Sequence, residues 1–142
     1  MKLLLTSAGW EKNLEIGKEF LKLVNKKTKE VGVFCIITPS KFIQRGKEIL
    51  KQFKRLQGGG IPAENITFFK LDRKVTENDL KGIDVIFVFG GNTFDYLNRI
   101  KKTGLDKFAI HQKAIDWRTL WIIQRIFRAK RFLSKRNGRK KI

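Results

Sequence analysis

Gly90-Gly91-Asn92-Thr93 comes directly after the apolar run Val85-Ile86-Phe87-Val88-Phe89. Two glycines at a strand exit let the backbone approach a ligand closely and aim N–H groups at it. A helix beginning there adds partial positive charge. Such a loop suits an oxyanion hole or an anion site, and it equally suits a tight turn that needs positive φ. Ser7-Ala8-Gly9 and Thr38-Pro39-Ser40 close two other apolar runs. A nucleophile elbow requires Gly-x-Ser-x-Gly, but Leu5 stands two residues before Ser7. Ser7, Ala8, Gly9 and Thr38 therefore read as loop formers or pocket walls. Cys35 lies among Phe34, Ile36 and Ile37, the setting of a core thiol. One cysteine and one histidine, His111, exclude an intramolecular disulfide framework and a multi-cysteine zinc site, and no structural metal is expected. Neither Gly-x-Gly-x-x-Gly nor Gly-x-x-x-x-Gly-Lys-Ser/Thr occurs, so no nucleotide cofactor is expected.

The elements that must hold these loops alternate. Lys2 to Thr6, Val31 to Ile37, Ile66 to Leu71 and Asp84 to Phe89 are short apolar runs, the pattern of buried strands. Between them lie helical stretches. Asn13 starts one that carries Leu14, Ile16, Phe20, Leu21 and Val24. Ser40 starts another, with Phe42, Ile43, Ile49, Leu50 and Phe53 inward, broken by Gly58-Gly59-Gly60. Thr76 with Asp79 three residues on reads as a helix start. Thr93 is placed to cap a helix burying Phe94, Leu97 and Ile100, with Gly104 at its end. This order predicts an α/β fold, a doubly wound three-layer sandwich on a mostly parallel sheet. Ligands in such sheets bind outside the carboxyl ends of the strands, where all three loops sit.

The charge divides the chain. Residues 1–108 hold 21 Lys+Arg and 12 Asp+Glu, whereas residues 109–142 hold 11 Lys+Arg and a single acid, Asp116. The chain is thus read as an α/β part, 1–108, and a basic, Trp/Arg/Lys-rich tail, 109–142. No apolar run approaches the roughly 20 residues of a membrane-crossing helix, and no signal peptide is evident after Met1-Lys2. The expected location is the cytoplasm, with no membrane partner.

The loops together resemble those of the peptidase E family, aspartyl dipeptidase-like serine peptidases with a class I glutamine amidotransferase-like fold. Met1-Lys2-Leu3-Leu4-Leu5-Thr6-Ser7-Ala8-Gly9 is similar to their opening, and Val33-Phe34-Cys35-Ile36-Ile37-Thr38-Pro39-Ser40 to their second strand. Asn65 to Asp72 resembles the third strand, and Phe87 to Leu97 contains the family's Gly-Gly-Asn-Thr-Phe block. The resemblance runs over residues 1–108. It implies hydrolysis of short peptides with an N-terminal aspartate. It also implies that Gly90 or Gly91 offers a backbone N–H to an oxyanion while Asn92 lines the pocket. The family's nucleophile sits on a Gly-x-Ser-Ala-Gly elbow after a fifth strand, with its histidine and acid later.

Here the sequence departs. Ser134 is the only serine beyond residue 40, and no Gly-x-Ser-x-Gly occurs after residue 108. The elbow, the fifth strand and the later triad are expected to be missing or out of frame, leaving no catalytic residue to assign. Three readings of 109–142 remain: a disrupted reading frame, a basic nucleic-acid-binding tail, or a helix completing the core. In the second, Lys and Arg interleave with Trp117, Trp121, Phe127 and Phe132, aromatics able to stack on bases; under any of the three, the charge is expected to bind polyanions without sequence preference. On a helical projection the apolar residues from 120 to 132 mix with the charged ones instead of forming a stripe. His111, inside this tail, reads as incidental.

Overall fold

The structure, a computed structural model, describes residues 2–6, 15–37, 46–89, 92–111 and 120–124. Its strands are β1 (Lys2–Thr6), β2 (Val33–Ile36), β3 (Ile66–Phe69), β4 (Val85–Val88) and β5 (Leu120–Gln124). Its α-helices are α1 (Glu15–Val24), α2 (Gly46–Gly58), α3 (Glu77–Leu80), α4 (Thr93–Thr103) and α5 (Leu105–His111). The strands form one sheet in the order β1-β5-β4-β2-β3, and every neighbouring pair is parallel. The fold is the α/β sandwich that the alternating runs predict.

Period-two alternation builds the two cores. Val33, Cys35, Ile37, Val85, Phe87 and Phe89 point to one face and meet Phe20 of α1 with Ile49 and Leu56 of α2. Phe34, Ile36, Ile86 and Val88 point to the other and meet Leu80 of α3, Tyr96 of α4 and Leu105 of α5. All of β2 and β4 is buried, which is why both read as continuous apolar runs. Burial pushes the Cys35 thiol pKa well up, so it stays protonated and inert inside β2.

The chain steps from β1 to β2 to β3 with α1 and α2 on one face. It returns from β3 to β4 to β5 with α3, α4 and α5 on the other. The direction of winding therefore reverses between the neighbours β2 and β4. The carboxyl ends of the strands at such a reversal are where doubly wound sheets take their ligands.

Three expectations are corrected. A fifth strand exists: Leu120 to Ile123 pairs in register with β1 on one side and with β4 on the other. Neither a helix there nor a missing strand is what the described residues hold. The reason is that a strand inside a parallel sheet needs no segregated helical stripe, only a short apolar run such as Leu120-Trp121-Ile122-Ile123. Second, Phe94 and Leu97 are exposed on α4. The inward face is instead Tyr96, Ile100 and Thr103, spaced four and three residues apart. Third, Leu50 is exposed on α2, where the inward spacing is Ile49, Gln52 and Leu56. The expected caps Asn13 and Ser40 lie outside the described residues.

Candidate functional site

Register brings the strand exits into one row. Leu5 pairs with Ile123, Ile123 with Val88, and Val88 with Ile36. Four adjacent strands thus end level with one another, in the spatial order β1, β5, β4, β2. Ser7 comes directly after β1, Thr38 two residues after β2, and Gly90 two after β4. The backbone continues the row a little further: Phe89 N–H donates to Ile36 O at 3.1 Å, and Ile37 N–H to Phe69 O at 2.9 Å. Ser7, Ala8, Gly9, Thr38, Gly90 and Gly91 themselves lie outside the described residues.

Asn92 is described, and its role is local as well as positional. It is the N-cap of α4: its Oδ1 accepts from Phe94 N–H at 2.9 Å and from Asp95 N–H at 3.3 Å. Thr93, the cap expected from the sequence, is instead the first helical residue. Asparagine one position earlier has extended φ/ψ and a short side chain that reaches the free N–H groups of the first turn. Capping engages Oδ1 and leaves the Nδ2 amide donors outside the cap. The helix closes as expected at Gly104, whose φ of 77° is the left-handed conformation glycine adopts without strain.

The opposite ends of β2 and β4 are locked by a carboxylate. Asp84 accepts from Gly32 N–H at 2.9 Å and from Lys26 Nζ at 3.0 Å. In return Gly32 O accepts from Asp84 N–H and Val85 N–H. A side chain on Gly32 would overlap the Gly82 carbonyl oxygen, so the close approach of these segments requires glycine. This lock sets the β2–β4 register, and hence the level at which the two loops emerge.

After β3 the chain turns through Leu71 to Val75 and is held by a second network. Thr76 and Asp79 form the reciprocal capping box that their spacing predicts. Arg73 donates to both oxygens of Asp79, at 2.8 and 2.6 Å, and lies over the Phe69 ring. The Arg73 guanidinium and the Thr76 donors hold the Asp79 carboxyl well below the ordinary carboxylate range. The Thr76–Asp79 spacing is visible in the sequence, whereas no short motif marks Arg73.

After Gln124 the chain reads Arg125-Ile126-Phe127-Arg128, with neither serine nor glycine. Among the described residues no group of histidine, cysteine, aspartate and glutamate is disposed to hold a metal ion. Nor is any helix there long and apolar enough to cross a membrane.

Comparison with known proteins places this architecture. No curated protein matches the chain at a significant level. Among solved structures, it is similar to a protein assigned as peptidase E from Listeria monocytogenes EGD-e, with 25% sequence identity and a TM-score of 0.66. That likeness covers 89% of this chain and 59% of the Listeria protein, so the chain spans about three fifths of that relative's length. The family model for peptidase family S51 matches residues 3–120, from β1 to the first residue of β5. With the match extending over most of the chain, through β2, β3 and β4 and up to the start of β5, this chain belongs to peptidase family S51.

Proposed function

We propose that this chain carries the substrate end of a cytoplasmic serine-type peptidase for short, aspartate-initiated peptides but does not itself catalyse hydrolysis. One observation carries the reading. β5 lies between β1 and β4 and ends level with them, and the sequence after it supplies no serine elbow. Acyl transfer needs a nucleophile, a base and an oxyanion hole together. By the resemblance, Gly90 or Gly91 is read as offering a backbone N–H to the oxyanion and Asn92 as lining the pocket, with Ser7, Ala8, Gly9 and Thr38 as walls. A nucleophile and a base are missing from that set. A disrupted reading frame accounts for the departure. Read in its other frames, the nucleotide sequence downstream of codon 108 is expected to encode Gly-x-Ser-Ala-Gly, and finding none would count against that account.

The activity test is direct. Purified chain incubated with Asp-X dipeptides should release no aspartate above a blank, because oxyanion donors and binding alone leave rates orders of magnitude below an intact triad. Turnover that Ser7→Ala abolishes would overturn the reading and make Ser7 the nucleophile.

A further inference from the structure

On the face covered by α3, α4 and α5, the segment Leu71 to Lys74 and the side of α4 enclose an open cavity of about 480 Å³. Asn92, Ile37 and Phe89 do not line it, so it is separate from the row of strand exits. Its size falls within the range of small-molecule sites, roughly 300–1,000 Å³. Its walls, however, are charged. Arg73, Lys74, Arg99 and Lys102 face it with two acids, Asp72 and Asp95.

The pairing of these groups decides what the cavity accepts. Arg73 is engaged by Asp79, outside the lining. Asp95 is engaged by Arg99, whose Nε donates to Oδ1 at 2.8 Å. That bond fixes the guanidinium along α4, and among the described residues its two terminal nitrogens make no hydrogen bond. Lys74 and Lys102 are exposed on the two walls, with Asn98 one turn before Lys102. With Arg73 and Arg99 each set against a carboxylate, Asp72 is the one remaining acid among the lining residues, against Lys74 and Lys102. The excess is positive and suits an anion, and a planar fork held in place suits the paired oxygens of a phosphate. The walls are held together by the Val75 N–H bond to Thr103 O at 2.9 Å, so the site is built by backbone as well as by side chains.

We propose that this groove binds a small phosphate-bearing anion, with Arg99 as the fork and Lys74 and Lys102 as flanking charges. The site does not depend on the peptidase reading, since it uses none of those residues.

The test is titration of the full chain at about 150 mM salt, where long-range attraction is screened. Pyrophosphate and glycerophosphate in separate arms, followed by amide NMR shifts, distinguish an inorganic anion from an ester. Saturable shifts at Lys74, Asn98, Arg99 and Lys102 are expected in at least one arm. The double variant Arg99→Gln/Lys102→Gln should weaken binding about tenfold or more, as loss of charge-assisted bonds requires. Lys18→Gln/Lys47→Gln, which removes the same charge from exposed positions on α1 and α2, should leave it within about twofold. Lys74→Gln keeps the Arg99–Asp95 pair and should still weaken binding. Equal weakening in both double variants, shifts confined to residues 125–142, or no saturation in the low-millimolar range would each overturn the proposal.

Discussion

Arg73 and Asp79 are coupled through two short hydrogen bonds, and Asp79 also closes the Thr76 capping box. These interactions favour the ionised carboxylate, so its folded pKa lies below the ordinary 3.8. A depressed folded pKa means stability that is present above the unfolded value and lost as pH falls towards the folded one. Urea midpoints should therefore fall as pH drops below about 4. Asp79→Asn should be less stable at neutral pH and lose less on acidification. Parallel midpoint–pH curves for the two proteins would show that Asp79 is not the linked group. Gly32 makes a second residue-scale prediction. The Cβ of Gly32→Ala would collide with backbone at Gly82, which a rotamer change cannot relieve. The expected loss is about 2 kcal/mol or more, in the range of overpacked cores, read from denaturant unfolding. Gly46→Ala, at an open position, serves as the control.

β5 is the element on which the sheet depends. It is the strand that joins β1 to the rest: β1 pairs with β5, and β5 with β4. A chain ending at residue 108 keeps β2, β3 and β4 but leaves β1 without the partner it has here. Backbone groups of an unpaired strand must find water or another chain. Residues 1–108 should accordingly unfold at lower urea than the full chain, with a shallower transition because less surface is buried. Identical midpoint and slope would show that β5 adds nothing to the sheet. α4 depends less on distant partners. Its two ends are closed locally, by Asn92 and by Gly104.

The whole molecule carries a formal charge of +19, and residues 125–142 hold nine Lys+Arg and no acid. Coulomb attraction to polyanions results from that density whatever fold surrounds it. Binding through such a segment releases counterions, so several phosphate contacts would lose about a thousandfold in affinity between roughly 50 and 200 mM salt. Removing residues 125–142 should abolish most binding to unrelated RNA and DNA oligomers while leaving β5 in place. Retention of one oligomer at the higher salt with a hundredfold preference would instead make the segment a specific nucleic-acid module, since base readout requires side chains fixed on a shaped surface.

Much of this architecture is legible from the residues themselves. Runs such as Val33-Phe34-Cys35-Ile36 are buried on both faces, and strands inside a covered parallel sheet carry that pattern. Thr76 with Asp79, and Gly104, act within one helical turn, so their spacing suffices to place them. The Gly-Gly-Asn-Thr-Phe block, on which the resemblance to the family rests, is legible for the same reason: a strand exit and a helix start are adjacent in the chain. The features that local pattern leaves open depend on partners far away along the chain. The Gly32–Asp84 lock, for example, spans 52 positions. The exposure of Phe94 is set by where the sheet lies beneath α4, because helical spacing alone does not say which apolar residue faces inward. β5 is the clearest instance. Four apolar residues amid basic ones suit a helix or a strand equally by local pattern. Only the gap between β1 and β4, with unmatched backbone groups on both sides, decides that they extend and pair.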